Sequence, residues 1–410
     1  MRLFLILLVA GIFSVSVEEA CTVTTPQDIL TCALEKHPDV INAESEKLRD
    51  DHLVDIAKQR PNPVLQSLFL SGKNFNDSNL TENSLLLTFE LGGKRKSRIN
   101  QASVLAEKSG LEVRRNREEI ALRTVLTLYR LRQIRSELSR IEETISTFSK
   151  IITALKSRPK LTPEQEVSQS SFSLVREDYK LKKITLIQEQ AGLVAWLEVA
   201  TGVPEQIILR HLPLPKANWP EFPVSMETES LSNATVALAR SEKTLAERNS
   251  AIAKSKAWPD LQIGPSFATE DLMGNGSSTG FLGGFSLSVP IPVLNLNRGG
   301  KAFAQADQSR AETNLDLTIQ KTSAEKILQF KRYQAAIKAL RSTRQINGMA
   351  TDHEKIEEFF EKGLVTSVLV IETHRQLYDI TRTRNEQELT GIDALWKLYI
   401  LEGTALDAKI

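Results

Sequence analysis

The sequence predicts a mainly α protein with a transmembrane β part, built as two β-β/long-helical-hairpin repeats. Three observations predict it. Two helical patterns, from about Gly93 to Arg158 and from about Asn297 to Lys362, run without a break. At 1.5 Å per residue each would be about 100 Å long. Two short strand patterns precede each long helix in the same order. Those strands alternate apolar with small or polar residues, as membrane β-strands do.

The composition excludes several classes. The chain has 410 residues, with 52 Lys plus Arg against 51 Asp plus Glu, a net charge of +1. That balance gives no reason to expect nucleic acid or an acidic substrate. Residues 1–20 read as a signal peptide. Arg2 is a short positive region and Leu3–Val17 an apolar one, too short for a comfortable membrane span. No later stretch reaches about 18 uninterrupted apolar residues, so any membrane crossing falls to strands. The two cysteines are Cys21 and Cys32. Cys21 follows Ala20 and is a candidate lipidation site, although Glu18 and Glu19 stand where a lipoprotein cleavage site has apolar and small residues. A Cys21–Cys32 disulfide in an oxidising periplasm is a second reading. Cys32 as a small buried helix residue is a third.

The first repeat covers 21–203. A helix is expected from Pro26 to about Gln59, with Thr25 as N-cap and Pro26 at the first helical position. Arg60-Pro61-Asn62-Pro63 stops it. A strand at 64–71, an exposed loop at 72–83 and a strand at 84–91 follow. In the second strand Leu85, Leu87, Phe89 and Leu91 alternate with Ser84, Leu86, Thr88 and Glu90. Gly92-Gly93 turns the chain into a helical hairpin over 93–201. Its first arm carries Leu131, Ile134, Leu138, Ile141, Ile145, Phe148, Ile152 and Leu155 at alternating spacings of three and four. That heptad seam calls for a partner helix. Thr162 and Pro163 restart the chain as the return arm, which carries Leu174, Leu181, Ile184, Ala191, Val194 and Leu197.

Residues 204–223 read as a proline-rich connector. The second repeat, 224–404, copies the first. Residues 226–256 are helical, and Trp258-Pro259-Asp260 breaks them. A strand at 260–268 puts Leu261, Ile263, Pro265 and Phe267 on one face. A Gly-rich loop leads to a strand at 281–290, with Phe281, Phe285, Leu287 and Val289 on one face and Gly284, Ser286 and Ser288 on the other. The second hairpin spans 297–401, with its turn at Glu361–Thr366. A soluble sandwich is the alternative reading of the four strands.

Four strands cannot close a membrane barrel, because each bare edge N–H and C=O costs several kcal/mol in hydrocarbon. Closure needs sister copies, and three chains of four strands give twelve. Three stretches then carry a resemblance. They are Phe89-Glu90-Leu91-Gly92-Gly93-Lys94-Arg95, the matching junction Val289-Pro290-Ile291-Pro292-Val293-Leu294-Asn295-Leu296-Asn297-Arg298-Gly299-Gly300-Lys301, and Phe360-Glu361-Lys362-Gly363-Leu364-Val365-Thr366 with Val370-Ile371-Glu372-Thr373-His374-Arg375-Gln376-Leu377. Through these, nearly all of the mature chain resembles the TolC family of outer-membrane efflux proteins, especially its heavy-metal, CzcC-like branch. The resemblance implies a homotrimer with a 12-strand β-barrel in the outer membrane, continued by a 12-helix periplasmic α-barrel. It implies a periplasmic adaptor (a membrane fusion protein), an inner-membrane RND pump and outer-membrane lipid as partners. It implies divalent metal cations or small toxic compounds as cargo.

The resemblance also marks site residues. Glu372 falls on one position of the family's acidic constriction ring, whereas Leu369, three residues earlier, departs from it. A plain solvated helix residue is the other reading of Glu372. Arg158, Lys160 and Thr162 at the first hairpin tip, and Lys362, Gly363, Leu364, Val365 and Thr366 at the second, are the expected adaptor contacts. Lys94, Arg95, Lys96 and Arg98 form a cationic cluster that would meet lipid headgroups or stand as a solvated first helical turn. No enzyme constellation, cofactor motif or metal set is expected. The five histidines are scattered, and the neighbours Asp352-His353-Glu354 point different ways on a helix. Two alternatives remain: the channel of a type I protein secretion system, and a periplasmic coiled-coil scaffold lipoprotein with no pore.

Overall fold

A computed structural model describes residues 21–71, 78–221, 233–272, 278–343, 355–360 and 362–410. The expected signal peptide, parts of the two strand-connecting loops and Asp352-His353-Glu354 lie outside them.

The element order is α1 (Pro26–Lys36), α2 (Pro38–Lys58), β1 (Val64–Ser71), β2 (Ser78–Glu90), α3 (Lys94–Lys156), α4 (Pro163–Thr201), α5 (Glu205–Arg210), α6 (Ala234–Ser255), β3 (Asp260–Leu272), β4 (Ser278–Ser288) and α7 (Arg298–Ser342). A helical stretch α8 (355–360) and α9 (Ser367–Glu402) complete it. Each half of this order runs from helix through two strands to long helices. Contacts, however, group the chain as residues through His37 with Thr127–Pro215 and Ile410, and as Pro38–Leu126 with Lys216–Lys409. The physical reason is the sheet, which joins the strands of both repeats inside one unit.

The expected helix over 26–59 is two helices. Pro38 has no N–H to give and pushes the preceding residue out of the helical region. His37 sits at φ −61°, ψ 131°. Thr25 caps α1 as expected, and Asp28 returns the bond in a capping box. The Sγ atoms of Cys21 and Cys32 are bonded to each other. This bond is the alternative to lipidation at Cys21, since one sulfur does not carry both a disulfide and a thioether. It satisfies the pairing and burial readings together, since Cys32 is 4% exposed.

In the first unit α3 and α4 run antiparallel. Phe148 meets Phe172 and Tyr179 at ring-centre distances of 5.2 and 6.1 Å. Arg130 bridges Glu137 at 2.9 Å and Glu189 at 2.7 Å. The α3 seam is inward as expected. The α4 residues Leu174, Leu181 and Ile184 are not, with exposures of 74, 67 and 52%. Phe172, Tyr179 and Leu186 take the inward places instead. The helix carries two apolar stripes, and α3 covers one.

In the second unit the four strands form one antiparallel sheet in the order β1-β2-β3-β4. Strands β2 and β3 reach further than the alternation suggested, from Ser78 and to Leu272, because their ladder continues past the apolar run. Strand β4 ends at Ser288, leaving Val289 outside. Strands β1 and β4 are the edges, each with one neighbour in this chain. The helix α7 stops at Ser342, with Thr343 extended at φ −102°, ψ 139°. The expected unbroken pattern to Lys362 resumes at 355–360.

The two strand-to-helix junctions are built differently. Gly92 and Gly93 take φ +68° and +70°, which a side chain would resist. Asn297 does the same work at φ 51°, and its Nδ2 donates to the Ala253 carbonyl at 2.8 Å. Three of the four cations in the cluster, Lys94, Arg95 and Arg98, are engaged within the chain. Lys94 pairs with Asp260 at 2.6 Å and Arg98 with Glu90 at 2.5 Å. Arg95 donates to the Lys58 carbonyl at 2.9 Å and Arg98 to that of Gln59 at 3.1 Å. Arg95 and Arg98 thus satisfy carbonyls at the end of α2, where positive charge is favoured.

Candidate functional site

Three surfaces answer to the sequence-predicted functions: the sheet, the first hairpin tip and the second.

The sheet register sorts its side chains. Opposed residues of an antiparallel pair share a face. Leu87 stands opposite Ile263, which stands opposite Leu287. Leu65 opposes Leu85, and Pro265 opposes Phe285. This face carries a bare apolar band, with Leu65, Phe281 and Phe285 70, 69 and 84% exposed, and Ser67, Thr81, Asn83 and Thr269 continue it as polar residues. The other face carries Glu82, Ser84, Thr88, Gln262, Ser266, Ser286 and Ser288, and Ser266 donates to Glu82 at 2.6 Å. Leu68, Leu70, Leu80, Leu86 and Leu282 also lie on this second face, so the separation is cleanest in β3 between Leu261 and Phe267.

At the first tip Thr162 caps α4. Its hydroxyl accepts the Gln165 N–H at 3.3 Å, and the Gln165 side chain accepts the Thr162 N–H at 3.1 Å. Arg158 and Lys160 are exposed, in a turn closed by the Arg158 N–H to the Leu155 carbonyl at 3.2 Å. From this tip the bare stripe of α4 runs back through Val167, Leu174 and Leu181, seven residues apart.

At the second tip Gly363 takes φ +72° and its N–H reaches the Phe360 carbonyl, while the Leu364 N–H reaches that of Phe359, both at 2.9 Å. This pair of bonds satisfies the last carbonyls of the incoming helix and reverses the chain. Lys362, which pairs with Glu358, is exposed, as are Leu364 and Thr366. Val365 is half-buried. Leu364 and Val368 are 69 and 71% exposed, so the tip presents apolar side chains.

Glu372 lies six residues into α9, half-exposed, and it is not a lone acid. Arg375 donates to both its oxygens at 2.8 and 2.9 Å, and Gln376 donates at 2.9 Å. The Arg375 hydrogen bonds, then that of Gln376, hold its carboxyl below the usual range. Leu369, at the departing position, is 45% exposed. Sequence reasoning missed His374. It is 2% exposed, and its Nε2 lies 3.2 Å from Glu357 Oε1. The signal was its spacing, since Val370, His374, Leu377 and Thr381 form the inward stripe of α9. Glu372 lies off that stripe. Among the described residues no group of three or more metal-ligating side chains converges, and no helix is long and apolar enough to cross a membrane.

No protein-family model and no curated protein matches the sequence. Solved structures match the fold. CusC, described for the changes that accompany its folding and transmembrane channel formation, superposes with a TM-score of 0.72 at 14% identity, over 93% of each chain. The Neisseria gonorrhoeae MtrE outer membrane channel in its open state gives 0.72 at 16%, over 93% of this chain and 89% of that one. The outer-membrane channel OprN gives 0.74 at 14%, over 92 and 89%. At such identities the likeness is one of backbone path. The chain has the TolC-like channel fold.

Proposed function

We propose that this protein is the outer-membrane exit duct of a tripartite RND-type efflux system. Three copies join their sheets into a 12-strand barrel, and their hairpins form a 12-helix barrel in the periplasm. The observation that carries this reading is the open sheet. It has a bare apolar band on one face, a more polar second face, and two edges with no strand neighbour in this chain. Such a sheet is stable in a membrane only when closed. Strand directions permit closure, because β1 and β4 run oppositely and a sister β1 can follow β4 in antiparallel sense. The bare second stripe of α4 supports it further, since a helix apolar on two sides needs two neighbours.

On this reading the chain is a passive conduit, driven by an inner-membrane pump through a periplasmic adaptor. Arg158, Lys160 and Thr162, and Lys362, Gly363, Leu364, Val365 and Thr366, dock that adaptor. Glu372 stands near the periplasmic constriction, with its charge offset by Arg375. The cargo is divalent metal cations or small toxic compounds. Purified protein should run as heat-resistant trimers from the outer-membrane fraction and give discrete conductance steps in planar bilayers. A water-soluble monomer with no conductance would overturn the proposal. Cysteines at Lys362 and Val365 should crosslink to the adaptor in membranes where efflux works. Absence of that product would remove the docking assignment alone.

A further inference from the structure

Both cysteines of the sequence sit at the start of the described chain, and they are bonded to each other. Their Cα atoms are 6.1 Å apart, a span that a disulfide bridges. The bond is turned into the protein. Cys32 lies on the inward side of α1, and Cys21 and Val23 pack on the same apolar cluster, built by Leu128 and Leu131 of α3 and Leu197 of α4. Residues 21–25 thus form a strap across that cluster. Polar bonds fix it: the Thr24 and Thr25 N–H groups donate to the Asp28 carboxylate at 2.9 and 2.8 Å. Ile410 joins the same cluster, and its N–H donates to the Gln27 side-chain oxygen at 3.0 Å.

A lipid-anchored cysteine requires the reverse. Its sulfur carries the lipid thioether and its chain is drawn towards the bilayer. Here the sulfur is engaged and the side chain is half-buried against the cluster. The sequence before it agrees, because Glu18 and Glu19 replace the apolar and small residues expected ahead of an acylated cysteine.

We propose that the exported chain matures by oxidation of Cys21 and Cys32 in place of lipid attachment, and that this staple holds the 21–25 strap over the apolar cluster. The proposal rests on the reading of the chain as an exported outer-membrane protein. The oxidant is a protein disulfide of a periplasmic thiol oxidase. One cysteine thiolate attacks that disulfide and forms a mixed disulfide, releasing one oxidase thiol. The second thiolate then displaces the other oxidase sulfur. Two electrons and two protons leave the cysteine pair, and the oxidase ends as a dithiol.

The test uses the full chain expressed with its own leader and recovered from the outer-membrane fraction. Thiols are alkylated before and after reduction, cells are fed radiolabelled palmitate, and the peptide holding both cysteines is weighed. The expected result is no alkylation before reduction and two alkylated thiols after it. The peptide should be two hydrogens lighter than its reduced form, with no palmitate incorporated. Palmitate on membrane-borne chain, or free thiols in it, would overturn the proposal and leave the channel reading standing. Unprocessed chain with reduced thiols in the cytoplasm would overturn both. Cys21→Ser should still reach the membrane as trimers, while proteolysis within 21–36 accelerates about tenfold. An unchanged cleavage rate would sink the staple's role.

Discussion

At the first hairpin tip the Thr162 hydroxyl accepts a cap bond from the Gln165 N–H, and the Thr162 N–H donates one in return to the Gln165 side chain. At the second, Thr366 stands in the same place before α9, and its side chain makes no cap bond. The difference continues inward. Behind the first tip, Phe148, Phe172 and Tyr179 meet around one contact, with Ile141 and Ile152 also buried. Behind the second, the buried places of α9 include His374, Thr381 and Asn385. Glu137 and Thr144 are buried behind the first tip too, and Val370, Leu377 and Tyr378 behind the second, so the two interiors differ in proportion rather than in kind. Apolar packing is non-directional and tolerates small shifts. Buried polar groups are held only while their partners stay in place, and losing one partner exposes the full desolvation cost. The first hairpin reads as a fixed post. The second can be loosened by single polar changes near its tip.

The largest expected effect tests the post. Phe148 is fully buried against two rings, so Phe148→Ala should cost about 3–5 kcal/mol of stability, measured by thermal or denaturant unfolding. His374→Ala, at an equally covered site facing Glu357, should cost about 1–3 kcal/mol. If the histidine change proved the more damaging, the contrast between the two interiors would be wrong.

The caps sharpen the contrast at lower cost. Thr162→Ala removes a reciprocal pair of bonds and should cost about 1 kcal/mol. Thr366→Ala removes no side-chain bond and should stay within about 0.5 kcal/mol. Amide exchange resolves the two sites separately. Protection should fall over residues 163–166 in the first variant and hold over 367–370 in the second. Equal losses would show that Thr366 has a partner the cap geometry does not supply.

How far the sequence foretold this contrast depends on range. The α3 seam was legible because three-and-four spacing is a local record of burial, and Leu131, Ile134, Ile141, Phe148 and Ile152 are all buried. The facing stripe of α4 was not. Val167, Leu174 and Leu181 have the same period as Phe172, Tyr179 and Leu186, and periodicity does not say which stripe meets α3. The Thr162 cap was legible from Thr162-Pro163, whereas the silence of Thr366 depends on one rotamer. The cluster at Lys94–Arg98 was visible as charge, but its partner Asp260 lies 166 residues away in sequence and only the sheet brings it near. The break at His37 was overlooked because Pro38 both ends one helix and opens the next. His374 was hidden because a histidine counts as polar in a pattern search, although it occupies an apolar stripe.

The smallest expected effect lies at Glu372, and it separates charge from stability. Arg375 and Gln376 depress its carboxyl below the ordinary 4.5. A carboxylate depressed in the folded state contributes stability that is present above its ordinary value and lost as pH falls through the depressed one. The pair is exposed and screened by salt, so unfolding should scarcely register it. Ion selectivity should register it. In planar bilayers Glu372→Gln removes one negative charge, and the reversal potential should move towards anion preference. Arg375→Gln leaves Glu372 unopposed and should move it towards cations. The double variant should return close to the parent. Acidification through the depressed range of the Glu372 carboxyl protonates it, so the parent should drift towards the Glu372→Gln behaviour while that variant holds still. If neither single variant moves the reversal potential, these side chains stand away from the ion path, and the second tip differs from the first in packing alone.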